Sequence, residues 1–513
     1  APAAHASAPA HTSGQAQHST TSGRPSNGNS TGHSAGNASG GANNGRTAGA
    51  PNNGRAAGTA NNGRTGGTPN NGRTGGTPNN GHGGGASTMG RTGPNSPNNR
   101  TGHASGPNAG GRAASNHVAP GRQVSLRGGG TAQIRPNGQI RSVNRNGMHI
   151  ERGVRGERRI VSTRNGVRVV GEGRRGGYVQ RAYVVRGGHS YYSRTYYYHG
   201  AYRTGVYRGY NYGGRPYYGY HPVYYYRPAY YGWAYNPWPA PVAYGWGWGA
   251  APWYGYYGPY YQPYPVYPSA AFWLTDFMIA ASLQAAYQAQ GNASLGPNAA
   301  DGTLVASLMP FPAADQGTAK LSPEVKNALS EEVKIALAAE QAEAAKGNAN
   351  SSGGQPADSN EAPPALDPKF RTFVVSSDMS LVADGDECPL SQGDVIQRTS
   401  DTPDDDGNVS VKVVASTKSD CGIGKEGPVS VDDLQEMYNG FREHLKDGMG
   451  ELAKNQGTGG LPKAPDTSTN DGDVPAPPPD KSAEKSLQDQ QSAADQAESE
   501  VKQESGSGPG ASQ

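Results

Sequence analysis

Acidic and basic residues are sorted almost completely into two halves of this chain. Residues 1–275 contain 28 Arg, no Lys and three acids, Glu151, Glu157 and Glu172, a net of +25. Residues 276–513 set 17 Lys and Arg against 38 Asp and Glu, a net of −21, so the whole-chain value of +4 hides two strong opposite fields. A second bias lies on the basic half: 28 of the 30 Tyr fall between Tyr178 and Tyr267, and five of the six Trp between Trp233 and Trp253. Such skew marks a material or a binding surface rather than a catalyst, and it suggests halves built for different surroundings.

Few residues of the first quarter can build a core. Residues 1–121 contain one Met, Met89, one Val, Val118, and no Leu, Ile, Phe, Tyr or Trp. They cannot bury enough apolar surface to offset roughly 1–2 kcal/mol of backbone entropy per residue, so a disordered basic arm is expected there. From Asn43 the nonapeptide Asn-Asn-Gly-Arg-Thr-Ala-Gly-Ala-Pro recurs with close copies at Asn52, Asn61, Asn70 and Asn79. It spaces charge through Arg46, Arg55, Arg64 and Arg73 and places His82 in the last copy. With no inward apolar residue, it reads as a flexible spacer rather than a solenoid.

The opening Ala-Pro-Ala-Ala resembles what signal peptidase leaves behind, which predicts an exported protein, secreted or in the cell envelope. The most apolar stretch, Ala270–Ala286, is interrupted by Asp276 and too short to span a bilayer, so no membrane span is expected. The two cysteines, Cys388 and Cys421, are either free thiols or one disulfide, and export favours the disulfide.

From Val124 short apolar runs alternate with turn signals: Ala132–Arg135, Gln139–Val143, Met148–Arg152, Arg159–Ser162 and Val167–Val170. Asn137-Gly138, Asn146-Gly147 and Asn165-Gly166 between them are hairpin signals, so an antiparallel meander with a cationic face is predicted. Tyr replaces the aliphatics in Tyr191–Tyr198 and Tyr224–Tyr226. The text then becomes Gly- and Pro-punctuated, a degenerate duplication around Trp233, Trp238, Trp246, Trp248 and Trp253. Rings with few rotatable bonds suit stacking on sugars and packing on themselves alike.

Trp273, Leu274, Phe277, Met278, Ala281 and Leu283 share a helical spacing, and Ser322-Pro323-Glu324 starts a second helix with Val325, Leu329, Val333 and Leu337 in a stripe. In residues 369–453, strands are expected at Phe370–Val375, Asp394–Thr399, Val409–Ala415 and Pro428–Val431. A final helix carries Leu434, Tyr438, Phe441, Leu445 and Leu452. The run Gly393-Asp394-Val395-Ile396, a charged loop, Val-rich strands and Gly427-Pro428-Val429 resembles a Src-homology-type small β-barrel over about 60 residues. The aromatic block and this module together, residues 122–453, are similar to a group of exported bacterial proteins rich in Tyr, Gly and Trp. That resemblance implies residence in the envelope or outside the cell and brings no catalytic residue.

The fold class expected is therefore mostly disordered plus all-β. Its parts are a disordered arm, 1–121; an Arg/Tyr/Trp-rich β region, 122–268; a helical connector, 269–346; a linker, 347–368; a small disulfide-linked β domain with a C-terminal helix, 369–453; and a disordered acidic tail, 454–513. His103, His189, His199 and His221 lack metal-ligand spacing, and no nucleophile elbow or phosphate loop is present, so neither catalysis nor a cofactor is expected. Asp384-Gly385-Asp386-Glu387 and the acids of Asp401–Asn408 miss the spacing of a calcium loop and read as solvated turns.

Two interaction surfaces are expected. One, for self-assembly or glycan stacking, comprises Tyr196, Tyr197, Tyr198, Tyr224, Tyr225, Tyr226 and the five Trp; the other, basic, comprises Arg127, Arg141, Arg152, Arg159, Arg175 and Arg186. The function expected is a structural or matrix protein that assembles with itself, basic region of one copy against acidic region of the next, into oligomers or filaments. An acidic polysaccharide or cell-wall polymer is a further expected partner. A nucleic acid is the rival one, because Arg-Gly-Gly beside Tyr neutralises phosphates and stacks on bases.

Overall fold

The Asn-Gly pairs set the first half of the architecture. In the computed structural model, which describes residues 121–173, 176–198, 200–294, 320–346 and 360–506, Asn146 and Asn165 take φ of 49° and 51°, each followed by a glycine at positive φ. These conformations match strand twist and close two-residue hairpins. Ten antiparallel strands follow one another in simple order: β1 (Arg122–Ser125), β2 (Thr131–Ile134), β3 (Ile140–Arg145), β4 (Met148–Arg152), β5 (Arg158–Arg164), β6 (Val167–Gly171), β7 (Gly177–Arg186), β8 (His189–Tyr198), β9 (Ala201–Tyr212) and β10 (Arg215–His221). The meander is thus present, and longer than its aliphatic part alone suggested.

Both faces of this sheet are covered by the acidic half of the chain. Ala132, Val143, Ile150 and Ile160 sit opposite one another across β2–β5. They bury against Ala494, Ala497 and Val501 of a C-terminal helix, α6 (Ala483–Gly506), which further along packs Ala483 and Leu487 on Val169 and Val179. Gly177 permits this approach, since a Cβ there would stand 2.7 Å from Leu487 Cδ2. The expected disordered tail from residue 454 is therefore, through residue 506, largely a docked segment. Its apolar positions are mostly alanine, which made the stripe hard to see.

The opposite face meets α5 (Val431–Asn455). Ser430 caps α5 by accepting from the Asp433 amide at 3.0 Å, and Asp432 and Asp433 oppose the positive end of the helix. Between the two halves, β11 (Tyr224–Tyr226) pairs with β18 (Thr469–Asp471). The aromatic text forms α1 (Pro228–Tyr235) and α2 (Pro252–Tyr257), each opened by a proline at a first helical position, and wraps α3 (Ala270–Ser294) and α4 (Pro323–Lys346). Gly448 of α5 lets α3 cross closely, because a Cβ would meet Leu274 and Phe277 at 2.9 Å.

The C-terminal module holds β12 (Thr372–Val374), β15 (Val395–Arg398), β16 (Asn408–Ala415) and β17 (Glu426–Ser430) in one open sheet, and β13 (Met379–Ala383) with β14 (Asp386–Leu390) in a hairpin. Among the described residues no sheet closes, so the barrel suggested by the resemblance is not what these strands build. The module is also not separate. Tyr217, Tyr226, Tyr230 and Trp273 share one buried cluster with Phe370, Phe373, Leu434 and Phe441. The protein is largely β with helices between and over its sheets, and the aromatic part of the β region, the connector helices and the C-terminal module share one buried cluster. The expectations for residues 1–120, for residues 295–319 of the connector, for most of the linker and for residues 507–513 lie outside the described residues.

Candidate binding cleft

The arginines of the sheet mostly meet acids of the same chain. Arg135 and Arg141 both bind Glu387 of β14; Arg152 and Arg158 reach Glu498, and Arg158 also Asp495, on α6; Arg181 reaches Asp480. On the other face Arg159 and Arg168 meet Asp432 and Asp433, Arg194 meets Glu436, and Arg203 meets Glu443. The expected pairing of one copy's basic half with the next copy's acidic half is corrected by this pattern. The two fields neutralise each other within one chain, because α5 and α6 lie against the sheet rather than on separate flexible linkers.

The sharpest junction is Arg194. It is fully buried, donates to Glu436 at 2.6 and 2.8 Å and to Gln180 Oε1 at 2.6 Å, and lies over the rings of Tyr178 at 4.3 Å and Tyr207 at 3.8 Å. Tyr196 donates to the Tyr207 hydroxyl at 2.8 Å, and the Tyr207 hydroxyl donates in turn to Glu443. A buried guanidinium is tolerable only with partners of this quality. At the aliphatic end, burial alone would raise Glu387, but hydrogen bonds from Arg135 and Arg141 overcome it and hold the carboxyl down at about 2.

All three acids of the basic half, Glu151, Glu157 and Glu172, line one cleft between the sheet and the module, facing Asp378, Asp433 and Glu436. Burial first, then the nearby Asp433 charge, pushes the Glu151 carboxyl up. The cleft shares Glu172, Ser376, Glu436 and Met437 with a larger cavity of ≈ 200 Å³, walled by Tyr178 and Tyr196 of the sheet, Met278 and Ser282 of α3, Gln392, and Phe441, Glu443 and His444 of α5. Burial, ahead of its charged neighbours, lowers the His444 imidazole. Sequence reasoning did not find this place. The signal was there: three acids among 28 arginines, all arriving at one site.

The residues expected to act as surfaces are dispersed. Tyr196 faces the cavity, whereas Tyr197, on the other side of β8, packs against Tyr202 at 5.1 Å; Tyr198 is exposed. Tyr224, Tyr225 and Tyr226 are taken up in pairing with Thr469–Asp471. Trp246 is stacked between Trp248 at 3.9 Å and Trp273 at 4.8 Å, Trp248 adjoins Trp253 at 5.6 Å, and Trp233 adjoins Trp238 at 5.4 Å. These rings spend their faces largely on one another. Of the six basic residues, Arg141, Arg152 and Arg159 are ion-paired, Arg127 and Arg186 are exposed, and Arg175 lies outside the described residues.

The remaining expectations are also placed. Cys388 and Cys421 are joined in a disulfide. Asp384-Gly385 is the turn of the β13–β14 hairpin, and Asp404 accepts from the Asp406 and Asn408 amides at 3.0 and 2.8 Å, so both acidic runs are turns. Among the described residues no group of three or more His, Cys, Asp or Glu is placed to hold a metal, and no helix is long and apolar enough to cross a membrane. Comparison with family models, with curated proteins and with solved structures returned no match.

Proposed function

We propose that this chain is a structural or matrix protein of the cell envelope or the extracellular space, tethered to an anionic polymer by its arginine arm. The observation that carries the reading is where charge is left over. Residues 1–120 hold eight Arg and no acid, so a whole-chain charge of +4 leaves residues 121–513 at only −4. Within the described part, sheet arginines and C-terminal acids cancel in ion pairs. The arm then carries the one large uncompensated field, and such a field attracts polyanions. The Cys388–Cys421 bridge supports an oxidising compartment, which favours an acidic polysaccharide or cell-wall polymer over a nucleic acid as partner.

Self-association uses a different edge from the Tyr-rich one. The outer edge of β10 is blunted by α5: Asn439 Oδ1 accepts from the Tyr220 amide and Asn439 Nδ2 donates to the Tyr218 carbonyl, both at 2.8 Å. The opposite edge is β1, which among the described residues pairs only with β2 and presents a short template for a second copy.

Retention of the full chain on immobilised alginate, a polyuronate, tests the tether. The wild-type chain should bind at low salt and elute as salt rises, and a full-length variant with the eight arm arginines changed to glutamine should flow through. Equal retention of both would overturn the tether, and preferential retention on RNA would move the reading to a nucleic-acid binder. Light scattering at low and high salt tests the assembly, which a monodisperse monomer at every concentration would sink.

A further inference from the structure

We propose that the cavity between β7–β9, α3 and α5 is a binding site for one neutral sugar ring, either a free monosaccharide or the terminal unit of a glycan. Four observations carry it. The first is size. A cavity of ≈ 200 Å³ is somewhat larger than the engineered void of about 150 Å³ that accepts benzene, so it suits one substituted six-membered ring. The second is an unspent polar atom. Gln392 lines the cavity and is only 8 % exposed, yet its Oε1 has no hydrogen-bond partner among the described residues. Its backbone N–H donates to Asp378 Oδ1 at 2.8 Å, which anchors the main chain at this wall and leaves the side-chain oxygen without a donor. A buried acceptor left unpaired is costly, and a ligand hydroxyl would relieve it.

The third observation is charge balance. Glu436 is compensated by Arg194 and by the Tyr178 hydroxyl, and Glu443 by Arg203 and the Tyr207 hydroxyl. A guest with a net charge would disturb two settled pairs, whereas a neutral one leaves them intact. The fourth is the mixture on the walls. Tyr196, Met278 and Phe441 offer apolar and aromatic surface, while Ser282, Gln392 and His444 supply groups that donate and accept. A sugar hydroxyl is both donor and acceptor, and its ring has an apolar face, so both kinds of wall are used. Arg203, 58 % exposed along its side chain, stands at the mouth, so the cavity communicates with solvent.

This site is independent of the arm. Polyanion retention depends on residues 1–120, and the sugar site on Gln392 and its neighbours, so the two proposals fail separately. The test is saturation-transfer NMR on the full chain with D-glucose and N-acetyl-D-glucosamine as neutral probes. Sodium D-glucuronate and D-glucosamine serve as charged probes, each at about 10 mM to reveal weak, millimolar binding. Maltotriose and chitotriose distinguish a glycan terminus from a free monosaccharide: tighter binding of a trimer than of its monomer assigns the terminus, and the reverse assigns the free sugar.

At least one neutral sugar should bind saturably and at least tenfold more tightly than its charged counterpart. Gln392→Leu, which keeps volume and removes the amide, should weaken it tenfold or more. Met278→Trp, which fills the cavity from α3, should abolish it. Circular dichroism melting of each variant establishes that it is folded, and His444→Gln serves as the replacement should Gln392→Leu not fold, with weakening again expected. The proposal is overturned if no neutral sugar binds saturably, if a charged sugar binds best, or if folded Gln392→Leu binds as the wild type does.

Discussion

At one end of the ten-stranded sheet, Ile134, Val143, Ile150 and Ile160 meet Ala494, Ala497 and Val501 of α6, with ion pairs such as Arg152–Glu498 along the rim. At the other end, Tyr178, Arg194, Tyr196 and Tyr207 meet Glu436 and Glu443 of α5 with the charges at the centre. The same strand geometry is thus clamped in two ways. Apolar burial tolerates substitutions of similar size and loses stability gradually, whereas a buried ionic network fails abruptly when one member is removed. The tyrosine end is therefore the more specific junction and the aliphatic end the more forgiving one.

The largest effect should come from Arg194→Met. It leaves Glu436 facing a buried site without its guanidinium and strips two rings of their cation, at a cost of about 3–5 kcal/mol. The urea midpoint followed by tryptophan fluorescence should fall accordingly, and adding Glu436→Gln should recover a large part of the loss. No recovery in the double variant would mean that the ring contacts, not the ion pair, dominate this end. Next comes Ala497→Asp, which puts a carboxylate where α6 touches the sheet. The cost should be about 2–3 kcal/mol, limited by simple release of the helix. Faster tryptic cleavage at Lys485 and Lys502 than in the wild type, with the sheet and α5 still protected, is the expected readout, and loss of the whole fold would show that α6 is not a forgiving clamp.

Acid should act next. Glu387 is held at about 2 by Arg135 and Arg141, below its ordinary value of 4.5. A depressed carboxyl contributes stability that is complete above the ordinary value and lost as pH falls towards 2. Wild-type stability should drop on the order of 2 kcal/mol across that window, and Glu387→Gln should flatten the slope. Glu151 works in the opposite sense. Burial raises it, so the stability gained on its protonation accrues as pH falls from its raised value to the ordinary 4.5 and is complete before the Glu387 loss sets in. A slope unchanged in Glu387→Gln would assign the acid sensitivity to other carboxylates.

Local signals make much of the fold legible in the sequence. Asn146-Gly147 and Asn165-Gly166 are turns by their own backbone preferences, and β4 runs from Met148 to Arg152, as its alternation suggested. What stayed hidden is long-range. The stripe of α6, Ala483, Leu487, Gln490, Ala494, Ala497 and Val501, keeps a regular four-and-three spacing, but small side chains in Gln- and Glu-rich text look like a solvated tail. The charge sorting was visible and its meaning inverted: opposite fields far apart in sequence were partners within one fold. The cleft was hidden for a related reason. Glu151, Glu157 and Glu172 are exceptional only when counted against the arginines around them, and composition alone does not say that exceptions meet.

The smallest effect separates the two clamps most cleanly, because it leaves the sequence untouched. Raising sodium chloride from about 0.1 M to 1 M shortens the Debye length from about 10 Å to about 3 Å, which weakens exposed charge pairs and scarcely reaches buried ones. On α6 the Arg158–Asp495 contact has an acid mostly open to water, its side chain 67 % exposed. On α5 the Arg194–Glu436 contact has a guanidinium wholly enclosed. Exposed pairs contribute roughly 0–1 kcal/mol, so salt should reduce hydrogen-exchange protection in α6 by at most several fold and leave α5 amides near Glu436 unchanged. Salt also strengthens apolar burial slightly, which works against the loss and keeps α6 docked. Equal loss of protection in both helices would mean that the tyrosine end is wetter than its packing implies, and increased protection in α6 would mean that its rim ion pairs contribute nothing and alanine packing alone holds the helix to the sheet.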